Sequence, residues 1–188
     1  SWTYENSTGE AASFSAGGSL DLSESFASAP TTGTYPFAVM LISKDFNIKG
    51  KFGPVGGKTY YSTTTFQTSS TDSDDYATQV APLNTFGGDE VCVAYTEGEV
   101  VTDGTISAYL INSSGILLDS DSTLTECSGQ EKLLGVMKMS SDLTISDATK
   151  GLKMTFTVTN NGMSVVTNRT GTDIFVDSGP FSVKFETF

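Results

Sequence analysis

In Gly151-Leu152-Lys153-Met154-Thr155-Phe156-Thr157-Val158-Thr159, the apolar Leu152, Met154, Phe156 and Val158 alternate with Lys153, Thr155, Thr157 and Thr159. A period of two places an apolar row and a hydroxylated row on opposite faces of a strand. Asn160-Asn161-Gly162 follows. Asn-Gly predicts a tight hairpin because both residues tolerate positive φ, so the chain is expected to return through Met163 to Asn168. Phe181-Ser182-Val183-Lys184-Phe185-Glu186 alternates again at the other end of the segment. The expectation is an all-β protein with one buried and one solvated face.

The same pattern recurs along the rest of the chain. Tyr35–Ile42 is apolar throughout and is expected to be a strand buried on both sides, with Pro36 at its start. Lys132–Met139 is the second strongly apolar strand. Thr105–Asn112 and Ile116–Asp121 flank Ser113-Ser114-Gly115 and predict a hairpin. Asn47–Phe52, Lys58–Gln67, Tyr76–Ala81 and Glu90–Thr96 are shorter strand candidates. Val55-Gly56-Gly57, Asn84–Asp89, Glu97-Gly98-Glu99 and Asp103-Gly104 are expected turns. In Ala11–Phe26, two short strands are expected around Gly17-Gly18. Only Ser140–Lys150 suggests a helical turn, with Asp142 near its start. Many short strands between Gly/Asn/Asp/Ser turns point to a two-sheet β-sandwich or jelly roll. The expected organisation is an extended N-terminal arm over residues 1–10 and a single domain over 11–188.

Composition supports export. Ser and Thr make up over a quarter of the 188 residues, whereas apolar residues are 37% and charged residues 17%. Cys92 and Cys127 are the only cysteines. Two are too few for a structural zinc site and predict one disulfide in an oxidising compartment. Asn6, Asn112 and Asn168 each begin an N-glycosylation triplet. No long apolar span suggests a membrane crossing, and Ser1-Trp2 looks like a processed N-terminus. The expected location is extracellular or at the cell surface.

Charge and residue types narrow the chemistry. The net charge is −12, with Arg169 and nine lysines as the only cations. Such a field repels nucleic acid and anionic membrane. No histidine occurs, which removes Ser-His-Asp and Cys-His nucleophiles, His-bound metals and a His pH switch. The expectation is a protein that is not an enzyme. No cofactor is expected; calcium is the one possibility weighed, because hard cations need converging oxygens. Asp72, Asp74 and Asp75 form one acidic turn, and Asp119 and Asp121 a second. Neither has the glycine and closing glutamate of an EF-hand loop, and solvated turn acids are the competing reading. Glu90, Glu97, Glu99 and Glu186 sit on or beside expected strands, so a carboxylate pair spaced for glycoside hydrolysis is geometrically possible. Tyr60, Tyr61 and Tyr76 are candidates for a carbohydrate-binding face, with cross-strand packing as the alternative. Lys58 and Lys132 border apolar strands and read as edge lysines that block aggregation.

The arm holds the only tryptophan. Trp2 and Tyr4 alternate with Thr3 and Glu5, and termini are usually polar and loose. The pair either packs on its own domain or forms a subunit contact as a donated strand. Ser13-Phe14-Ser15-Ala16-Gly17-Gly18-Ser19-Leu20-Asp21-Leu22-Ser23 resembles the opening strand of the TasA/camelysin-like secreted matrix-fibre subunits. Asn160-Asn161-Gly162-Met163-Ser164 is similar to a second short element of theirs. The likeness covers about 20 residues; Gly18 is an extra residue in the pattern, and the second element falls later in the chain than in the family. The resemblance implies a jelly-roll subunit that polymerises by donating its N-terminal strand. The expected function is therefore an extracellular structural or adhesive subunit, self-associating into a polymer. A carbohydrate-binding module and a viral protruding surface domain are the alternatives.

Overall fold

The computed structural model describes residues 19–21, 30–87, 91–101, 103–157, 163–167, 174–178 and 182–188. The arm with Trp2 and Tyr4, the triplets at Asn6 and Asn168, Glu90 and the Asn160–Gly162 turn lie outside the described residues. The chain is all-β, built as several antiparallel sheets, with no α-helix among the described residues.

The largest sheet has four strands. They are β2 (Gly33–Ser43), β8 (Tyr95–Val101), β9 (Gly104–Ile111) and β10 (Lys132–Ile145), in the order β2-β10-β9-β8. Alternation along these strands separates the two faces. Ile42, Leu133 and Leu110 stand opposite one another in register, as do Met40, Gly135 and Ala108. This is the buried face. Its core cluster consists of Cys92, Ala94, Leu110, Cys127 and Leu133, with Ile42, Phe46, Leu83, Phe86, Ala108 and Leu118 packed around it.

A second sheet pairs β3 (Asp45–Ile48) with β7 (Gln79–Pro82). Phe46 joins the two hydrophobic clusters, since it also packs against Ile48 and Ala81. A third sheet, β4-β5-β6, contains β4 (Lys51–Val55), β5 (Lys58–Ser62) and β6 (Ser69–Ser70). Its first hairpin turns at Gly56-Gly57, as the glycines predict. Ser62 is fully buried there with its hydroxyl satisfied: it donates to the Ala77 carbonyl at 2.7 Å and accepts from the Gly50 N–H at 3.1 Å. The segment at Gly151 supplies β11 (Leu152–Thr157), held between β1 (Ser19–Asp21) and β14 (Ser182–Thr187). β12 (Met163–Thr167) pairs with β13 (Ile174–Ser178).

Several expectations are corrected. Among the described residues β11 pairs with β1 and β14, and β12 pairs with β13, whereas the hairpin expected at Asn160–Gly162 lies outside them. Ser140–Lys150 is not a helical turn up to Ile145; β10 runs straight through it as strand. Glu97-Gly98-Glu99 is not a turn but part of β8. Cys92 lies in an isolated bridge to Asp121 rather than in a strand, and Ile116–Asp121 returns from its turn only as a bridge at Leu117. Lys132 is on β10 between β2 and β9, so it does not guard an edge, whereas Lys58 pairs with Val55 of β4 and lies beyond the reach of β6, which pairs only with Tyr61 and Ser62. Finally, Tyr35–Ile42 is buried on one side only, and that difference defines the site below.

Candidate interaction face

The outer face of the four-stranded sheet is built by register. Leu41 of β2, Leu134 of β10, Tyr109 of β9 and Tyr95 of β8 stand directly opposite one another in one row. Val39, Val136 and Ser107 form the next row, and Phe37, Lys138, Thr105 and Val100 the third. Opposed residues share a face, so this is one face crossing four strands, apolar along β2 and over Leu134 and Val136 of β10, and interrupted by Lys138, Ser107 and Thr105. It is not covered: Phe37 is 52% exposed, Val39 49%, Leu41 37%, Tyr95 47% and Val100 85%. Isolated exposed apolar residues are ordinary, whereas contiguous ones mark interaction sites.

The β8 end of the face is polar. The Tyr95 and Tyr109 rings stack with centroids 6.1 Å apart and planes at 26°. The Tyr109 hydroxyl donates to Glu97 Oε1 at 2.9 Å. That hydrogen bond, followed by burial, raises the Tyr109 pKa above the ordinary phenol value. Thr96 donates to Glu99 Oε1 at 3.0 Å. Between Thr96 and Glu99, β8 advances three residues while β9 advances two, from Ala108 to Ile106. The extra residue makes a bulge, and the Gly98 N–H turns to the Ser107 hydroxyl at 3.2 Å.

No protein family, curated protein or solved structure matches this chain.

The remaining sequence candidates fall elsewhere. Cys92 and Cys127 form the expected disulfide in the core beneath the sheet. Asp72 caps a single 3-10 turn over Ser73–Asp75 by accepting from the Asp74 N–H at 2.9 Å, and Asp75 accepts from the Ser70 hydroxyl at 2.5 Å. Asp121 Oδ1 accepts from the Thr123 hydroxyl at 2.6 Å and its N–H at 2.8 Å. Those two bonds hold the Asp121 carboxyl below its usual range. Among the described residues, Asp72, Asp74, Asp75, Asp119 and Asp121 are not brought together as a group of three or more metal ligands. Asn112 begins its turn: its side-chain oxygen accepts from the N–H groups of Ser114 and Ile116, at 2.9 and 3.0 Å.

Tyr61 and Tyr76 pack against each other at 5.4 Å, and the Lys49 ammonium lies 4.7 Å above the Tyr76 ring. Tyr60 is opposite Phe52 in the β4–β5 pair. Glu186 is ion-paired with Lys184 at 2.8 Å, and this neighbour lowers its pKa. Sequence reasoning passed over Tyr95, Tyr109 and the outward row of β2. The alternation of Tyr109 with Ala108 and Leu110 carried a signal, but an apolar run such as Phe37–Ile42 reads the same whether one face or both are buried.

Proposed function

We propose that the chain is an extracellular, non-enzymatic subunit with a structural or adhesive role, folded as a β-sandwich or jelly roll. In this reading it works by associating with further copies, its N-terminal arm donated as a strand. The observation that carries the proposal is the uncovered apolar face formed by Phe37, Val39, Leu41, Leu134 and Val136 on a chain otherwise rich in acids and hydroxyls. A surface of that kind is disfavoured in water unless something binds it. The disulfide fits an oxidising setting, and the −12 charge keeps the unassembled subunit soluble. Electron microscopy of the purified protein tests the proposal. Regular assemblies are expected, and deletion of residues 1–9 should leave a folded chain that does not polymerise. Normal polymerisation of the deleted chain would remove the arm from the mechanism.

A second reading is favoured by one observation. Tyr95 and Tyr109 stack beside the Glu97 carboxylate at the open end of the face, and aromatic rings beside hydrogen-bonding groups suit sugar rings. In this reading the chain is a carbohydrate-binding module. Saturation-transfer NMR against a polysaccharide panel should show transfer that Tyr95→Ala abolishes; silence across the panel would dismiss it.

A further inference from the structure

We propose that the outer edge of β2 is a self-association site, at which the β2 strands of two copies pair antiparallel about a two-fold axis at Val39. Two four-stranded sheets then become one continuous sheet. The proposal rests on the reading of the chain as a self-associating subunit, but it uses residues other than those of the arm.

The two edges of the sheet differ. The β8 edge carries Glu97 and Glu99, both exposed, and the bulge at Gly98, whose φ is +72°. Charge and bulges are the devices that stop strand edges from pairing. The β2 edge has neither. From Phe37 to Ser43 it follows β10 without a break in register. It has no charged residue from Gly33 to Ser43. Among the described residues β2 pairs with β10 alone. Pro36, which lacks an N–H, marks where a ladder would end.

The charge pattern identifies the occupant. Two copies at −12 each repel one another over most of their surface. Along the paired windows Phe37–Ser43 and Lys132–Lys138, the only charged side chains are Lys132 and Lys138. This strip lacks carboxylates, so a like-charged copy meets less repulsion here than at the β8 edge with its Glu97 and Glu99.

The strand also complements itself. With the axis at Val39, Val39 faces Val39 and Phe37 faces Leu41 of the other copy. All three exposed apolar side chains of one strand then meet those of the other. An axis one residue on, at Met40, would leave Phe37 opposite Ser43. Paired apolar residues across antiparallel strands stabilise the ladder.

The test is cross-linking. Val39→Cys should form an intermolecular disulfide under mild oxidation, seen on a non-reducing gel. Val80→Cys, on β7 and equally exposed at 49%, is the control and should stay monomeric. Val39→Lys should keep the fold by circular dichroism and weaken the dimer by at least about tenfold in sedimentation equilibrium, because like charges then stand opposite one another. Cross-linking of Val39→Cys no greater than that of Val80→Cys overturns the proposal, as does an unweakened Val39→Lys dimer. Deletion of residues 1–9 separates this site from the arm. A Val39→Cys cross-link that survives the deletion supports the β2 pairing even if filaments are lost. A cross-link that disappears with the arm assigns the edge to the arm and overturns it.

Discussion

Gly104 opens β9 immediately after a turn that its sequence neighbours announce, yet the demand for glycine comes from another strand. Its φ is +154°, and a Cβ there would overlap the carbonyl oxygen of Lys138 on β10. Both the backbone conformation and the contact exclude a side chain. Gly104→Ala should therefore destabilise the fold by about 3 kcal/mol, combining strain with overpacking, as read from the urea midpoint. A shift under about 0.5 kcal/mol, the range of neutral surface changes, would mean that β10 yields. At Tyr109 the relevant quantity is pH. The hydrogen bond to Glu97 and burial raise its pKa in the folded chain. A raised pKa means that this contribution to stability is complete below the unfolded phenol value and is lost as pH rises through the folded one. The Tyr109 step, isolated by difference against Tyr109→Phe in an absorbance titration, should lie above that of a free tyrosine. Glu97→Gln should bring it down. An unmoved step in the variant would show that the carboxylate is not its partner in solution.

Among the elements, the disulfide pins the segments that have least ladder of their own. Cys92 has only an isolated bridge to Asp121, with its N–H on the Leu124 carbonyl at 2.7 Å; Cys127 donates to the Asn84 carbonyl at 3.1 Å. The bond closes a separation of 35 residues, worth about 4 kcal/mol of unfolded-state entropy on the chain-entropy model. The double substitution Cys92→Ala/Cys127→Ala should lower stability by about that amount in denaturant unfolding, and a loss under about 1 kcal/mol would show that the turns hold without it. The pair itself was legible from a count of two cysteines without histidine, and the β strands from their period of two. What escaped was three-dimensional. Between Lys138 and Leu143, β10 advances five residues while β2 advances two, from Phe37 to Tyr35. Ser140-Ser141-Asp142 fills that irregularity, and its polar residues imitate a helix cap when read alone. Likewise, Gly98 reads as a turn because a bulge and a turn require the same residue. The apolar run of β2 gave no clue to its open face, since exposure depends on what packs over a strand rather than on the strand.

For the whole molecule, charge would work against the proposed assembly. Ten cations face 22 acids, and the self-repulsion of such a chain falls as salt screens it. The contacts that would join copies are apolar and backbone-mediated, and salt does not screen those. The Debye length shrinks from about 30 Å at 0.01 M salt to about 3 Å at 1 M. Sedimentation velocity should accordingly show more monomer at low salt and more associated protein at high salt, at one protein concentration. Acidification toward the isoelectric point near 4.1 should act in the same direction, because it removes the charge that salt only screens. The opposite trend, dissociation by salt, would mean that cations of one copy bind carboxylates of the other. The interface would then be held by ion pairs rather than by β2 and its apolar row. A salt titration thus tests the proposed association and the force that would drive it.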